Sequence, residues 1–413
     1  MQLNYDLAVA VATELAATEN DPLCAYVYDL DGLRTHIQQL VASLPPQCQL
    51  FYAAKANAET PVLQVLADHV HGFEVASGGE LHWLREHFAE VPLIFGGPGK
   101  LESELRAAID AQVELIHVES RLELERLARL ADEAGRPVDI LLRINLTLAE
   151  LPSTTLTMGG RPTPFGLDES ELEGILAWLP TQPNLRLQGF HFHLLSHQLD
   201  AAAHLRLLQG YCRQVKRWCN DYGLESRHVN VGGGIGINYV EPDNQFNWPV
   251  FSQGLATLIE QEQMQDWTIR FEFGRYVTAA CGYYVMEVLD LKRNLGQWFA
   301  VARGGTHHFR TPAAQSHSHP FHVVSRSQAE SRTGGAGNPP AVLEREPVTI
   351  VGQLCTPKDV LAQQVPLDRV AVGDWLVFPY AGAYAWNISH HDFLRHPRPR
   401  CGYFDGGRVV VAP

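Results

Sequence analysis

The chain has 413 residues, 46% of them hydrophobic, and sets 32 Lys and Arg against 46 Asp and Glu for a formal net charge of −14. That length and apolar fraction suit one large domain with a smaller companion, or two comparable ones, and exclude disorder as the general state. An acidic balance without a basic stripe excludes a nucleic-acid or membrane-surface protein, which leaves a small-molecule enzyme as the leading class. The apolar runs fall short of the roughly twenty residues a membrane helix needs. The opening MQLNYDLAVAVATEL has no basic n-region or cleavage site, so a cytoplasmic location is expected. Seven cysteines without a CxxC pair predict reduced core thiols and no disulfide framework.

In chain order, CAYVYDL (24–30) comes first as a short strand. Eight apolar runs follow: 49–55, 72–77, 92–97, 113–118, 138–145, 187–194, 228–234 and 268–274. Apolar on both faces, such runs predict a parallel sheet covered by helices. Between them, SGGELHWLREHF, ESRLELERLARLADEAGR and DESELEGILAWL space apolar residues by three and four behind acidic first turns, as amphipathic helices do. Eight such units over about 230 residues have the count and size of a (β/α)8 TIM barrel. Thereafter YYVMEVLDLKR, WFAVAR, PVTIVGQ, DWLVFPYAG and RVVVAP, separated by Gly and Pro turns, predict an all-β domain. Residues 311–340, rich in Ser, Gly and Pro, are expected to be a mobile loop or lid.

Barrel chemistry sits where the strands end. Lys55, Arg143, His193, Ser196, the glycines 232–234, Glu272 and Arg275 all fall at such ends, so they should converge on one rim. Lys55 closes an apolar strand; it either snorkels to solvent or has its pKa depressed enough to form a Schiff base. Three glycines after a strand suit either an anion cradle or a tight turn. Glu272 with Arg275 is either a surface ion pair or a holder for a ring nitrogen and a phosphate. His191, His193 and His197 lie close in sequence, but no carboxylate or Cys accompanies them at ligand spacing, and no metal is expected.

Taken together, FYAAKAN, EVASGGEL, FHLLSH, VGGGIG, EFGR, LCTPKDVL and AGAY resemble the fold-type III pyridoxal-phosphate decarboxylases, the group of diaminopimelate, ornithine and arginine decarboxylases. GPGK, MGGRPTPFGLDES, GGTHH, QLCTPKDVL and HDFLRHPRP resemble most the decarboxylases of siderophore and aminoglycoside-antibiotic assembly. The resemblance implies an alanine-racemase-like barrel over residues 29–278, a β-sandwich or β-barrel domain from 1–28 and 279–413, and pyridoxal 5'-phosphate as cofactor. It implies that Lys55 bonds to the cofactor aldehyde, that His193 stacks on its ring and that Arg143 sits by the ring hydroxyl. Glu272 would pair with the ring nitrogen. Ser196, Gly232, Gly233, Gly234, Arg275 and Tyr384 would hold the phosphate. Cys355 would reach the partner's active site in a homodimer with two shared sites and return a proton to the substrate α-carbon.

Departures from the family pattern bear on the substrate. Thr356 stands where relatives that act on basic amino acids carry an acid, and Arg303 where an aspartate is usual. With His307 nearby, these residues predict a small-molecule amino-acid substrate with a carboxylate-bearing acyl tail, such as citryl-diaminopropionate, over ornithine, lysine or diaminopimelate. Phe273 replaces a frequent Pro and Glu74 a frequent Asp. An amino-acid racemase would carry tyrosine in place of Cys355, and a non-catalytic pyridoxal-phosphate carrier would lack the β-domain.

Overall fold

The computed structural model describes residues 1–18, 20–148, 156–315, 317–326 and 342–411. Eight parallel strands build the first domain: β1 (Cys48–Ala53), β2 (Gly72–Val75), β3 (Leu93–Phe95), β4 (Leu115–Val118), β5 (Val138–Asn145), β6 (Leu185–His191), β7 (His228–Asn230) and β8 (Thr268–Phe273). They pair in the order β4-β3-β2-β1-β8-β7-β6-β5, and pairing of β4 with β5 closes the ring. Each strand overlaps the apolar run that predicts it. Helices cover the outside. The helix Arg121–Ala134 buries Leu124, Leu127, Ala128, Leu130 and Ala131; Ser120 Oγ caps it by accepting from Glu123 N–H, and Gly135 at φ 61° ends it.

Alternation along the strands places the chemistry. Phe51, Ile94, Leu115 and Leu141 form a separate apolar cluster, and the Arg270 guanidinium lies 4.1 Å over the Phe51 ring. Two residues further along the same strands come Ala53, Gly96, His117, Arg143 and Glu272, all lining one cavity with Glu74 and His191. An apolar layer therefore floors a polar one.

The second domain is a nine-stranded mixed sheet. Cys24–Asp29, buried along its whole length, lies between Gly282–Asn294 (antiparallel) and Arg400–Asp405 (parallel). A register shift between Val288 and Asp290 lets the long strand leave this half of the sheet and pair onward with Gln297–Ala302. The sequence does not signal the helix Tyr5–Ala17, which packs on Cys24–Asp29, nor the strand Val360–Ala371. The segment 380–387 closes over the barrel mouth: Tyr384 N–H donates to the Ala56 carbonyl at 2.8 Å, and Asn57 Nδ2 to the Gly382 carbonyl at 2.9 Å.

The expectation of a loose loop over 311–340 is corrected for its described part; residue 316 and residues 327–340 lie outside the described residues. Thr311 Oγ1 donates to the Tyr384 carbonyl, the buried His319 contacts the Pro379 carbonyl through Nε2 at 2.7 Å, and His322–Val324 pairs with Trp375–Phe378. These contacts pin the segment to the sheet despite its composition.

A buried cation braces the barrel under the site. Lys100, 1% exposed in its side chain, donates to the Gly97 and His117 carbonyls at 2.7 Å each and to Glu123 Oε1 at 2.6 Å. Removing one partner of such a pair strands the other charge, so Lys100→Met is expected to cost about 3–5 kcal/mol, measured by urea unfolding.

Candidate active site

A cavity of about 490 Å3 opens at the C-terminal ends of the strands. Of the residues predicted from the sequence, Lys55, Arg143, His193, Ser196, Gly234, Glu272, Arg275 and Tyr384 line it together. Glu74, His117, His191 and His197 line it too.

Lys55 follows β1 in a single turn of 3-10 helix, Ala54–Ala56. Its Nζ donates to both Glu74 oxygens, at 2.6 and 2.8 Å. The side chain keeps 43% of its surface open to the cavity, yet protein surrounds it. Burial acts to lower its pKa, but Glu74, Tyr384 and Glu272 outweigh burial and hold the ammonium above its usual range. Lys55 is thus the cation of an ion pair with Glu74. Glu74 is pushed up to about 7, by burial first, with Lys55 opposing and Glu272 adding. Of the two, Lys55 is the stronger base, so at neutral pH the proton between them rests on its ammonium.

Glu272 lies at the cavity floor. Asn230 Nδ2 donates to its Oε1 at 2.8 Å, His117 Nδ1 stands 3.4 Å from the same oxygen, and His191 Nε2 stands 3.5 Å from Oε2. Burial alone would raise this carboxyl, but His191 and His117 more than offset it and hold it well below the usual carboxylate range. His117, buried beside His191, is itself pushed well down, so it faces Glu272 as a neutral ring. The donor atoms of His117, His191 and Glu272 lie within 4.8 Å of one another, a spacing that a metal could use. This grouping differs from the three histidines clustered in the sequence.

His193 is pushed down to about 3 by burial and then by Arg143, so its ring is neutral. Its Nδ1 accepts from Gly233 N–H at 3.2 Å, which leaves the proton on Nε2, 3.4 Å from Ser196 Oγ. Arg143 donates to Glu119 Oε1 at 2.8 Å and lies 4.8 Å over the Phe165 ring. Arg275 donates to Tyr239 Oη at 2.7 Å and lies 4.5 Å over the Tyr384 ring. Tyr384 holds φ at 50°, a left-handed conformation that costs a non-glycine residue about 1–2 kcal/mol.

Only one of the three glycines faces the cavity. Gly232 N–H donates to Asn230 Oδ1 and Gly233 N–H to His193, so neither is free for an anion, and the assignment of Gly232 and Gly233 to phosphate binding is corrected. Their need for glycine is steric: a Cβ at Gly233 would come within 2.2 Å of the Glu272 carbonyl.

Cys355, Thr356, Arg303 and His307 do not line this cavity. They gather on the β-domain, where Asp359 ties the two loops by accepting from Thr306 N–H at 2.6 Å and Leu354 N–H at 2.8 Å. Cys355 is exposed. Arg303 donates to the Pro22 carbonyl and stands 3.3 Å from Asp21, and His307 is fully buried against His308 and His396. Within the subunit Arg303 is thus already paired and His307 shielded.

The model for the pyridoxal-dependent decarboxylases, pyridoxal binding domain, matches residues 30–279. The chain belongs to this family. It is 43% identical over 394 residues, 94% of this chain and 96% of the relative, to the 2-[(L-alanin-3-ylcarbamoyl)methyl]-2-hydroxybutanedioate decarboxylase of Staphylococcus aureus. It is 29% identical to a diaminopimelate decarboxylase of Bacteroides thetaiotaomicron over 87% of this chain and 90% of the relative. Its fold matches that of Helicobacter pylori diaminopimelate decarboxylase, crystallised with L-lysine, at a TM-score of 0.82 and 25% identity, covering 99% of this chain and 95% of that one. The protein is a decarboxylase and its cofactor is pyridoxal phosphate. The donor set suits that group: a buried carboxylate for a ring nitrogen, a lysine on the wall, a neutral imidazole, and a cation with hydroxyl and amide donors at the outer end.

Removing the principal anion beside Lys55 lowers its pKa. In Glu74→Gln, the pH midpoint for trapping pyridoxal phosphate on Lys55 with borohydride is expected to fall by about one unit or more, as read by peptide mapping across a pH series.

Proposed function

We propose that this enzyme decarboxylates an L-amino acid whose side chain bears an anionic acyl group, from active sites shared across a homodimer. The observation that carries the substrate reading is the 43% identity to the staphylococcal enzyme, whose name describes an alanine joined through its third carbon and an amide to a hydroxylated dicarboxylate. Thr356, uncharged beside the exposed Cys355, supports it, since no acid there would attract a basic tail. A citryl-diaminopropionate siderophore intermediate fits this description.

When bound, pyridoxal phosphate supplies a protonated ring that accepts the electron pair left by departing CO2. The chain does the rest. Lys55 would provide the anchoring amine, with both Glu74 oxygens fixing its position on the cavity wall. Glu272, kept anionic, holds the proton of the ring nitrogen. His193 would offer a neutral flat face to the ring, Arg143, its direction fixed by Glu119, would bind the ring hydroxyl, and Ser196, Gly234, Arg275 and Tyr384 would hold the phosphate. Cys355 of the opposite subunit returns one proton to the α-carbon. Its exposure on a rigid β-domain loop, outside its own subunit's cavity, supports the shared site.

Initial rates of CO2 release are expected to be highest on citryl-diaminopropionate; faster turnover of ornithine, lysine or diaminopimelate would defeat the substrate reading. Thr356→Glu should shift the preference toward a dibasic amino acid by roughly tenfold. Lys55→Ala and Cys355→Ala should each be inactive alone, and mixing the two should recover about a quarter of wild-type activity through hybrid dimers. No recovery on mixing would point to sites confined to single subunits.

A further inference from the structure

At the cavity floor, Asn230 and His117 form a fully buried polar pair, His117 lining the cavity and Asn230 behind it. The orientation of each can be deduced. Gly232 N–H donates to one end of the Asn230 side chain at 2.9 Å, which identifies that end as the oxygen. The other end, Nδ2, therefore faces both Glu272 Oε1 at 2.8 Å and His117 Nε2 at 3.3 Å. An amide nitrogen can only donate, so His117 Nε2 accepts and the ring proton sits on Nδ1. That Nδ1 has no hydrogen-bond partner, and its nearest anion is Glu272 Oε1 at 3.4 Å. The residue is held from two further sides, at its backbone and at its ring. Lys100 binds the His117 carbonyl at 2.7 Å, and the His191 ring lies 4.1 Å away between centroids.

We propose that Asn230 and His117 are a positioning relay, locked in one tautomer by the Gly232 amide, that aims Glu272 at the ring nitrogen of the cofactor. The relay rests on the reading of Glu272 given above and extends it to two residues that act through that carboxylate. It also gives the glycine loop a second role, because the Gly232 N–H orients an asparagine that donates to Glu272 Oε1 and orients a histidine whose Nδ1 stands 3.4 Å from the same oxygen. Loss of the Asn230 donor leaves Oε1 under-satisfied in a buried site, and loss of His117 removes the acceptor that holds Asn230 Nδ2 in place; either way the carboxylate turns or takes up a proton.

The test compares binding of two cofactors to the cofactor-free enzyme: pyridoxal phosphate and its analogue with carbon in place of the ring nitrogen. The unaltered protein is expected to prefer pyridoxal phosphate by roughly tenfold or more, the worth of a charge-assisted hydrogen bond. In His117→Leu that ratio should collapse toward one, while both molecules still bind through Lys55 and the phosphate grip. In His117→Asn, which keeps an amide donor where Nδ1 stood, the ratio should recover. A merely structural histidine would weaken both cofactors alike, and an unchanged ratio in His117→Leu overturns the relay. Should that variant not fold, the nitrogen-15 histidine spectrum of the unaltered protein decides. The resonance lost in His117→Asn must be that of a neutral ring protonated on Nδ1, and loss of an Nε2-protonated ring overturns the relay. If the unaltered protein shows no preference for the ring nitrogen, the assignment of Glu272 fails, and the relay with it.

Discussion

A carboxylate buried in the mouth of a closed barrel cannot keep its charge unless donors surround it, and most of the site follows from meeting that demand at Glu272. Asn230 supplies a donor from β7 and two imidazoles from β4 and β6 stand within 3.5 Å, so three walls of the barrel are committed to one side chain. The same anion, with Glu74, keeps Lys55 protonated at the rim, and it raises the proton affinity of Glu74 in turn. Charge at the floor thus sets protonation at the wall.

The two domains divide the work by rigidity. The barrel offers a ring of strand ends whose side chains point inward in layers, which fixes a cofactor pocket but leaves it open above. The β-domain closes it from outside through segment 380–387, at the expense of a left-handed Tyr384, and displays the Cys355 loop on a separate face. Asp359 binds that loop to the Gly304–Thr306 turn, so motifs about fifty residues apart in sequence move as one body.

Much of this is legible in the sequence. Eight apolar runs with helical spacers specify the barrel, because strands buried on both faces must be apolar on both. Lys55, Arg143, His193, Glu272 and Arg275 stand out because a charged or titratable side chain at the end of such a run has few neutral explanations. His117 and Asn230 do not stand out. His117 sits in an ordinary-looking LIHV run, and its significance rests on its facing β8 across the barrel interior, a relation between residues 155 positions apart. The roles of Gly232 and Gly233 escape the sequence for a similar reason: a glycine loop after a strand exposes amides, but their direction depends on what the neighbouring strands present. Arg303 looks like a free cation in sequence and finds Asp21 and Pro22 only when the N-terminal segment folds against it.

The amino-acid order by itself determined the family, the cofactor and the identity of most groups in the cavity, since strand periodicity and residue chemistry are local properties. Tertiary structure alone decided which protons those groups carry and which donors are already spent. Ionisation and hydrogen-bond partnership depend on burial and on distances of a few ångströms between strands remote in the chain, and no local pattern encodes them.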